Sequence, residues 1–247
     1  MKLDNVLATR HGKTIYREGD KCFKVFDEGY SKVDILNEAL NLARIEETGL
    51  HVPELHGVTM VQDRWALIYQ YVEGIDLAHL MRENPQKMDE YLQTFVKLQC
   101  QVHNLSCPML TRYKDKMARK FGIAELDAVT LYDLFHRLNA IPNKNRVCHG
   151  DLIPSNVIIS NGGVPYILDW SHATQGHASV DVARTYLVFR MRGNAEIAEK
   201  YLDMICQQDN VDKQSVFDCM PIVAAEQYIN DDEQTDFLQK IIDGLFE

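Results

Sequence analysis

The chain has 247 residues, with 26 Lys and Arg against 36 Asp and Glu, so its formal net charge is −10. The length fits one or two globular domains, and a hydrophobic fraction of 46% supports a packed core, which excludes a wholly disordered chain. The acidic balance argues against nucleic acid as a partner, since phosphate backbones are bound by clustered Lys and Arg.

The apolar runs are short throughout. The first residues lack the apolar segment of a secretory signal, and no run is long enough to span a bilayer. The six cysteines are scattered singly, with no CxxC pair and no zinc-site spacing. This usage is typical of reduced thiols, so we predict a cytoplasmic protein with no membrane partner and no evident obligate protein partner.

The first 73 residues predict a small β-rich lobe. Short segments rich in β-branched and aromatic residues, separated by turns, predict five strands: Asn5–Thr9, Lys13–Arg17, Lys21–Phe26, Leu55–Val61 and Trp65–Tyr71. Between the third and fourth strands, Ser31–Thr48 predicts a helix that is capped by Ser31 and stopped by Gly49. The near-3.6 spacing of its apolar residues supports this helix; they are Val33, Leu36, Leu40, Ala43 and Ile45.

From residue 74 onward the pattern is mainly helical. The predicted helices are Asp76–Arg82, Met88–Leu105, Glu125–Leu138, Val180–Arg190, Ala195–Gln207, Gln214–Tyr228 and Thr235–Leu245. Two short apolar runs, Val157–Ile159 and Tyr166–Leu168, flank a Ser-Asn-Gly-Gly turn and predict a hairpin. The sequence therefore predicts an α+β fold of two lobes, residues 1–73 and residues 74–247.

A polar segment interrupts the helical region beside this hairpin. It contains His149, Asp151 and Asn156, and Asp169 closes the hairpin. Carboxylates rarely lie beside buried strands without a cation or strong hydrogen bonds. Carboxylate and amide oxygens suit Mg²⁺, and a carboxylate that binds no metal can accept a proton from a substrate hydroxyl. The segment is therefore the main candidate site.

The run HGDLIPSN followed by ILDW resembles the HGDxxxxN…DW signature of the aminoglycoside phosphotransferase and choline kinase-like small-molecule kinases. These are relatives of the protein kinases, so the resemblance implies a bilobal protein-kinase-like fold. It implies a nucleotide-binding N-terminal lobe and a C-terminal lobe for catalysis and acceptor binding. It also implies that Asp151 accepts or orients the acceptor proton, while Asn156 and Asp169 bind Mg²⁺.

The resemblance extends to other positions in the chain. A kinase needs a Lys on the third strand to hold nucleotide phosphates and a Glu on the next helix to orient it, which implies Lys24 and Glu38. The segment that joins the lobes resembles the hinge that pairs with adenine, and it implies contacts by Gln70 and Val72. Asp181 matches an Asp that hydrogen-bonds the catalytic-loop backbone.

Two departures from the protein-kinase pattern bear on the substrate. The nucleotide-covering hairpin has only Gly12 and Gly19 rather than a Gly-rich run, so Gly12, Lys13 and Thr14 are weak phosphate-binding candidates. No Ala-Pro-Glu follows Asp169, and only eleven residues separate Asp169 from Asp181. The peptide-docking segment is thus missing, which favours a small-molecule acceptor.

The predicted reaction transfers the γ-phosphoryl group of ATP, or of GTP, to a hydroxyl of a small molecule. An aminoglycoside or another amino sugar or amino alcohol is one candidate acceptor, because the last 25 residues hold seven carboxylates and one lysine. The alternative interpretation of these acids is a solvated surface.

Two other functions remain open. One is a nucleotide-binding regulatory pseudokinase that keeps the fold without the chemistry. The other is a metal-dependent phosphohydrolase that uses His149, Asp151 and Asp169, although it leaves Lys24 and Glu38 unexplained.

Overall fold

The computed structural model describes residues 3–10, 12–230 and 234–245. The strands are β1 (Val6–Arg10), β2 (Lys13–Glu18), β3 (Lys21–Phe26), β4 (Leu55–Val61), β5 (Arg64–Gln70), β6 (Gly74–Asp76), β7 (Arg146–Cys148), β8 (Val157–Ser160), β9 (Pro165–Ile167) and β10 (Thr174–Gly176). The α-helices are α1 (Lys32–Glu46), α2 (Leu77–Glu83), α3 (Met88–His103), α4 (Tyr113–Gly122), α5 (Ala128–Ala140), α6 (Ala178–Met191), α7 (Ala195–Asp209), α8 (Lys213–Asn230) and α9 (Thr235–Ile242). Short 3₁₀ turns occupy Pro85–Lys87, Pro154–Asn156 and Trp170–His172.

The N-terminal strands form one antiparallel sheet in the order β1-β2-β3-β5-β4. The five predicted strands are confirmed to within one residue at each end. Alternation along β3 sends Phe23 and Val25 to one apolar cluster. Lys24 and Phe26 point to the other face, where Phe26 packs with Ile35 of α1. The strand period therefore places Lys24 on the side of the sheet that α1 covers.

Only part of the apolar stripe of α1 faces the core. Val33, Leu36 and Leu40 are exposed, whereas the buried residues of α1 are Ile35, Glu38, Ala39, Asn41, Leu42 and Ile45. The polar members of this buried face have partners in the core: Glu38 pairs with Lys24, and Asn41 donates to the carbonyl of Trp170 at 3.2 Å. These buried contacts outweigh the apolar stripe, and a helix rotated to bury the stripe would lose them.

The chain folds into two compact units whose boundaries differ from the predicted one at residue 73. The first unit comprises the described residues of Met1–Pro85 together with Pro154–His172, and the second comprises Gln86–Ile153 and Ala173–Glu247. The hairpin of β8 and β9 groups with the first unit because β6 pairs with β8. A Cβ at Gly74 would lie 2.2 Å from the Ile159 carbonyl oxygen, so this pairing requires glycine.

The second unit is mainly helical, and the predicted helices are confirmed to within three residues at their ends. Helix α6 packs against α7 and α8, and the strands β7 and β10 form a small antiparallel pair beside it. One helix, α4, was not predicted. The helix is rich in charged residues, so its apolar stripe is not obvious in the sequence. The stripe consists of Tyr113, Met117 and Phe121, which recur every four residues and are buried. No helix in the described ranges is long and apolar enough to cross a membrane.

Candidate active site

In the first unit, a buried lysine joins two carboxylates. Lys24 is 2% exposed, and its ammonium group donates to Glu38 Oε1 and to Asp169 Oδ1, the latter at 3.2 Å. Strand β3 supplies the lysine, α1 supplies the glutamate and the segment after β9 supplies the aspartate. The structure therefore brings together three residues that lie far apart in the chain and that the sequence singled out.

Burial and mutual electrostatic interaction set the pKa values of Lys24, Glu38 and Asp169. Burial opposes the charge of Lys24, but Asp169 and Glu38 outweigh it and raise the lysine pKa above its ordinary value. Burial also opposes the charge of Asp169, yet the ammonium groups of Lys24 and Lys13 hold the pKa of this carboxyl well below its usual range. Burial raises the pKa of Glu38 and the negative charge of Asp169 adds to this rise, although Lys24 opposes both effects. Asp169 is thus the carboxylate held ionised for a cation.

Backbone geometry fixes the direction of Asp169. Its φ is +59°, a left-handed conformation that Asp and Asn tolerate better than other non-glycine residues. Ser171 Oγ donates to Asp169 Oδ1 at 2.8 Å, and Lys13 Nζ lies 3.5 Å from Oδ2. The N–H of Leu168 donates to the carbonyl of Asn156 at 2.8 Å, so the two predicted metal ligands are tied across one hairpin.

A cavity in the first unit collects these polar groups. Its walls include Lys13, Lys24, Glu38, Asn156 and Asp169. Burial and the nearby Lys24 charge lower the pKa of Lys13, while Asp169 opposes this effect. Two ammonium groups therefore face the cavity beside an ionised carboxylate, an arrangement suited to phosphate oxygens.

The predicted hinge residues lie at the end of β5. This strand contributes Leu67 and Tyr69 to the cavity wall, whereas Gln70 and Val72 are not among the residues that line the described cavity. The N–H of Gln70 donates to the Glu54 carbonyl at 2.9 Å, and Val72 is buried. The structure thus places both residues beside the site without bringing their side chains into it.

The donors present fit Mg²⁺. Asn156 is 3% exposed and offers an amide oxygen, and Asp169 offers a carboxylate that its neighbours keep ionised. No group of three or more His, Cys, Asp or Glu side chains within the described ranges is arranged to hold a metal. Magnesium needs only one or two protein ligands, since water and substrate phosphates complete its shell.

In the second unit, the predicted catalytic Asp151 is held by Arg184, which the sequence did not single out, and by His149, which it did. Arg184 on α6 approaches Asp151 Oδ1 at 3.2 Å, and the N–H of Asp151 donates to His149 Nδ1 at 3.2 Å. His149 is fully buried, as expected of a residue that supports the loop rather than reacts. The carboxylate of Asp151 stays partly exposed, with about a quarter of its side chain accessible.

A buried charge network holds the loop that carries Asp151. Asp181 accepts the N–H of Gly150 at 2.6 Å, which confirms the contact that the resemblance implied. His103 joins Asp181 to Asp209, through Nε2 at 3.0 Å and Nδ1 at 2.6 Å, and Arg146 lies 2.9 Å from Asp209. Burial opposes the charge of His103, but hydrogen bonds and the charges of both aspartates raise its pKa to about 9.

The comparisons with known proteins agree with this geometry. A family model described as the phosphotransferase enzyme family, APH, matches residues 9–213. The chain belongs to this family. Its membership confirms the predicted enzyme class, a small-molecule phosphotransferase of the kinase type. No curated protein sequence matches the chain.

Solved structures of aminoglycoside phosphotransferases and of a choline kinase share the fold. Aminoglycoside phosphotransferase APH(4)-Ia, as a thermostable mutant, has a TM-score of 0.72 at 13% identity over 99% of this chain and 94% of its own. Aminoglycoside-3'-phosphotransferase of type VIII has a TM-score of 0.65 at 18% identity over 86% and 87%. Choline kinase LicA from Streptococcus pneumoniae has a TM-score of 0.66 at 16% identity, over 99% of this chain and 93% of its own. The predicted protein-kinase-like α+β fold is confirmed.

Sequence reasoning missed several residues of the site. His103 and Asp209 carry no motif and meet only in the folded helical unit. Arg184 lies three residues after Asp181, so its position on the next helical turn could have been noticed.

Proposed function

We propose that this phosphotransferase moves the γ-phosphoryl group of ATP, or of GTP, to a hydroxyl of a small molecule. The observation that carries the proposal is the buried Lys24 between Glu38 and Asp169, beside Asn156, in one cavity. Such a lysine can grip nucleotide phosphates while its glutamate holds its direction. Solved relatives support a nucleotide, since APH(4)-Ia complexes contain ADP or AMP-PNP.

Within the first unit, each polar group has a part in phosphate binding. Lys24 would bind the α- and β-phosphates, and Lys13 would add a second ammonium where a Gly-rich run is absent. Asn156 and Asp169 would hold Mg²⁺, which neutralises charge on the phosphate oxygens when it is bound. Adenine contacts at Gln70 and Val72 stay a prediction.

In the second unit, Asp151 would receive the acceptor proton. The acceptor oxygen forms a bond to the γ-phosphorus, the bond from that phosphorus to the β–γ bridging oxygen breaks, and the nucleoside diphosphate leaves. Arg184 orients the carboxylate, and the Asp181 contact to Gly150 fixes the loop. Because the phosphoryl transition state needs little covalent help, positioning and charge neutralisation supply most of the rate.

The test replaces Asp151 by Asn. Asp151→Asn should lower turnover by about 10²–10⁴-fold while Mg-ATP still binds, because only the proton acceptor is removed. Asp115→Asn, an exposed carboxylate on α4, is the matched control and should behave like the wild type. The assay is Mg-ATP consumption over a panel of hydroxylated metabolites and aminoglycosides, with nucleotide binding measured separately.

The same assay separates the alternatives. Near-normal turnover of Asp151→Asn would refute the assigned base. Nucleotide binding with no turnover of any acceptor would favour the regulatory pseudokinase. Metal-dependent phosphatase activity without nucleotide binding would favour the phosphohydrolase.

A further inference from the structure

A small cavity lies in the second unit, where the start of α4 approaches the segment before β7 and the end of β10. Its volume is about 90 Å³, and none of the described residues that line it belongs to the cavity of the first unit. The space holds several water molecules at about 10–15 Å³ each, but it is far smaller than the roughly 300 Å³ of a site for a larger organic ligand. We call it the basic cleft, and its walls include Arg112, Lys114, Asp115, Lys144 and His177.

Positive charge dominates the basic cleft. Its described walls carry three permanent cations, Arg112, Lys114 and Lys144, against one carboxylate, Asp115, which is a net charge of +2. None of these four side chains forms an ion pair in the described part of the chain, and Lys114 donates to the carbonyl of Asn139 at 3.0 Å. The whole chain carries a charge of −10, so this local excess runs against the overall balance. Cations that surround one cavity without ion-pair partners attract an anion.

His177 adds a neutral hydrogen-bond donor to the basic cleft. Its Nδ1 accepts the N–H of Ser179 at 3.3 Å, so the proton of the neutral imidazole lies on Nε2. Across residues 3–10, 12–230 and 234–245, this Nε2–H has no hydrogen-bond partner. Burial lowers the pKa of His177, and the charges of Arg146 and Lys144 lower it further, although Asp209 opposes them. The imidazole therefore lies in a positive potential and is a neutral donor near pH 7.

Buried contacts fix the floor of the basic cleft. Gln175 is buried, and its side-chain amide donates to the carbonyls of Pro108 and Leu110 at 2.9 and 2.6 Å. A Cβ at Gly176 would lie 3.0 Å from Cβ of Tyr113, so β10 closely approaches the start of α4. The cleft is thus formed before any ligand binds, and the binding of an ion there requires little ordering of the chain.

We propose that the basic cleft binds a small oxyanion of the phosphate class. A phosphate dianion would match the net charge of +2, whereas a carboxylate would leave half of this charge uncompensated. Lysine ammonium groups bind phosphate as point charges, and an arginine adds paired N–H donors. Of the acids in the last 25 residues, the three that the structure describes do not line the cleft, and four lie outside the described residues: Asp231, Asp232, Glu233 and Glu247.

The first experiment follows the imidazole signals of His177 by NMR as the pH of the intact chain is varied, with His177→Gln to assign them. The probe is inorganic phosphate, compared with chloride at the same ionic strength, because added salt by itself screens Arg146 and Lys144. Phosphate should raise the pKa of His177 by about 1 pH unit more than chloride does, since a nearby anion favours the imidazolium. A rise no larger than that in chloride would overturn the inference.

Titration of the same NMR signals with phosphate at constant pH gives the affinity of the basic cleft itself, whatever binds in the first unit. The dissociation constant should be about 1 mM or lower, and Arg112→Gln and Lys144→Gln should each raise it about tenfold. Both side chains are exposed, so neither variant should lower the melting temperature. Lys97 is exposed on α3 outside the cleft, and Lys97→Gln should keep the wild-type affinity. Unchanged affinity in both Arg112→Gln and Lys144→Gln would overturn the inference.

Two further probes identify the source of the phosphate group. Binding of inorganic phosphate at least as tightly as methyl phosphate would assign the free ion, and tighter binding of methyl phosphate would assign the phosphoryl group of a larger ligand. Acetate should bind at least about tenfold more weakly than the tighter of the two, and equal binding of acetate would overturn the phosphate class. None of these measurements uses Asp151 or a nucleotide, so the inference and the proposed function can fail independently.

Discussion

The buried imidazole of His103 makes a strong prediction about folding stability. It lies between the carboxylates of Asp181 and Asp209, and its pKa is about 9 in the folded chain. An unfolded chain has no such partners, so its histidine titrates near the ordinary value of about 6.5. Replacing His103 by Gln removes the titratable charge and leaves two buried carboxylates with a neutral neighbour.

The size and sign of the effect follow from the two pKa values. A rise from about 6.5 to about 9 corresponds to about 3 kcal/mol of folding stability, at about 1.4 kcal/mol for each pH unit. Because the folded pKa is the higher one, this contribution is complete below about pH 6.5 and is lost as the pH rises through about 9. Since His103 is fully buried, solvent screening reduces the figure little.

The assay is urea denaturation at a series of pH values from about 6 to about 10, followed by far-UV circular dichroism. At the lower pH, His103→Gln should be less stable than the wild type by about 3 kcal/mol or more, and this gap should shrink by about 3 kcal/mol across the series. His136 is exposed on α5, so the free energy of unfolding of His136→Gln should follow the same pH dependence as that of the wild type. A constant gap for His103→Gln at every pH would refute the charged imidazole.

Three further predictions concern the first unit. Asp169→Asn and Asp169→Ala should both abolish Mg²⁺-dependent turnover, but the alanine variant should be less stable in urea by about a further 1 kcal/mol, because φ is +59° there. Equal stability of the two would contradict the backbone argument. Lys24→Met should destabilise the chain by about 3 kcal/mol, because it leaves the buried carboxylate of Glu38 without its lysine and leaves Asp169 with Lys13 as its cationic partner. Adding Glu38→Gln should recover part of that loss rather than add to it. Lys13→Met should raise the KM for ATP about tenfold with little change in melting temperature, and an unchanged KM would exclude Lys13 from phosphate binding.

Patterns that are local in the chain predicted most of the fold. Alternation in β3 and the Gly-stopped helix α1 both appear at the predicted positions, because strand and helix periods are set by neighbouring residues. The orientation of α1 did not follow from its own apolar stripe. It depends on Lys24, because the charge of this buried lysine requires Glu38 to face the core. The apolar spacing within one helix carries no information about a partner on another element.

The candidate site was predictable to the extent that its residues lie in one motif. The motif located Asp151 and Asp169, and strand order located Lys24. His103 and Arg184 were not predicted as site residues, because a buried histidine and a helical arginine have many ordinary roles. Their partners lie on other parts of the chain, which they meet only after folding. Long-range charge pairing of this kind leaves no periodic trace in the sequence.

The chain passes between its two units three times, after Pro85, after Ile153 and after His172, and this has a consequence for biosynthesis. A ribosome that has released the first 85 residues has supplied Lys24 and Glu38 but not Asn156 or Asp169. Until the β8–β9 hairpin emerges, Lys24 has only one of its two carboxylate partners and β6 has no strand to pair with. The first unit is completed only by Pro154–His172, which follow a stretch of the second unit, so a cut at residue 85 would yield two fragments that must reassociate to rebuild the lysine–aspartate contact.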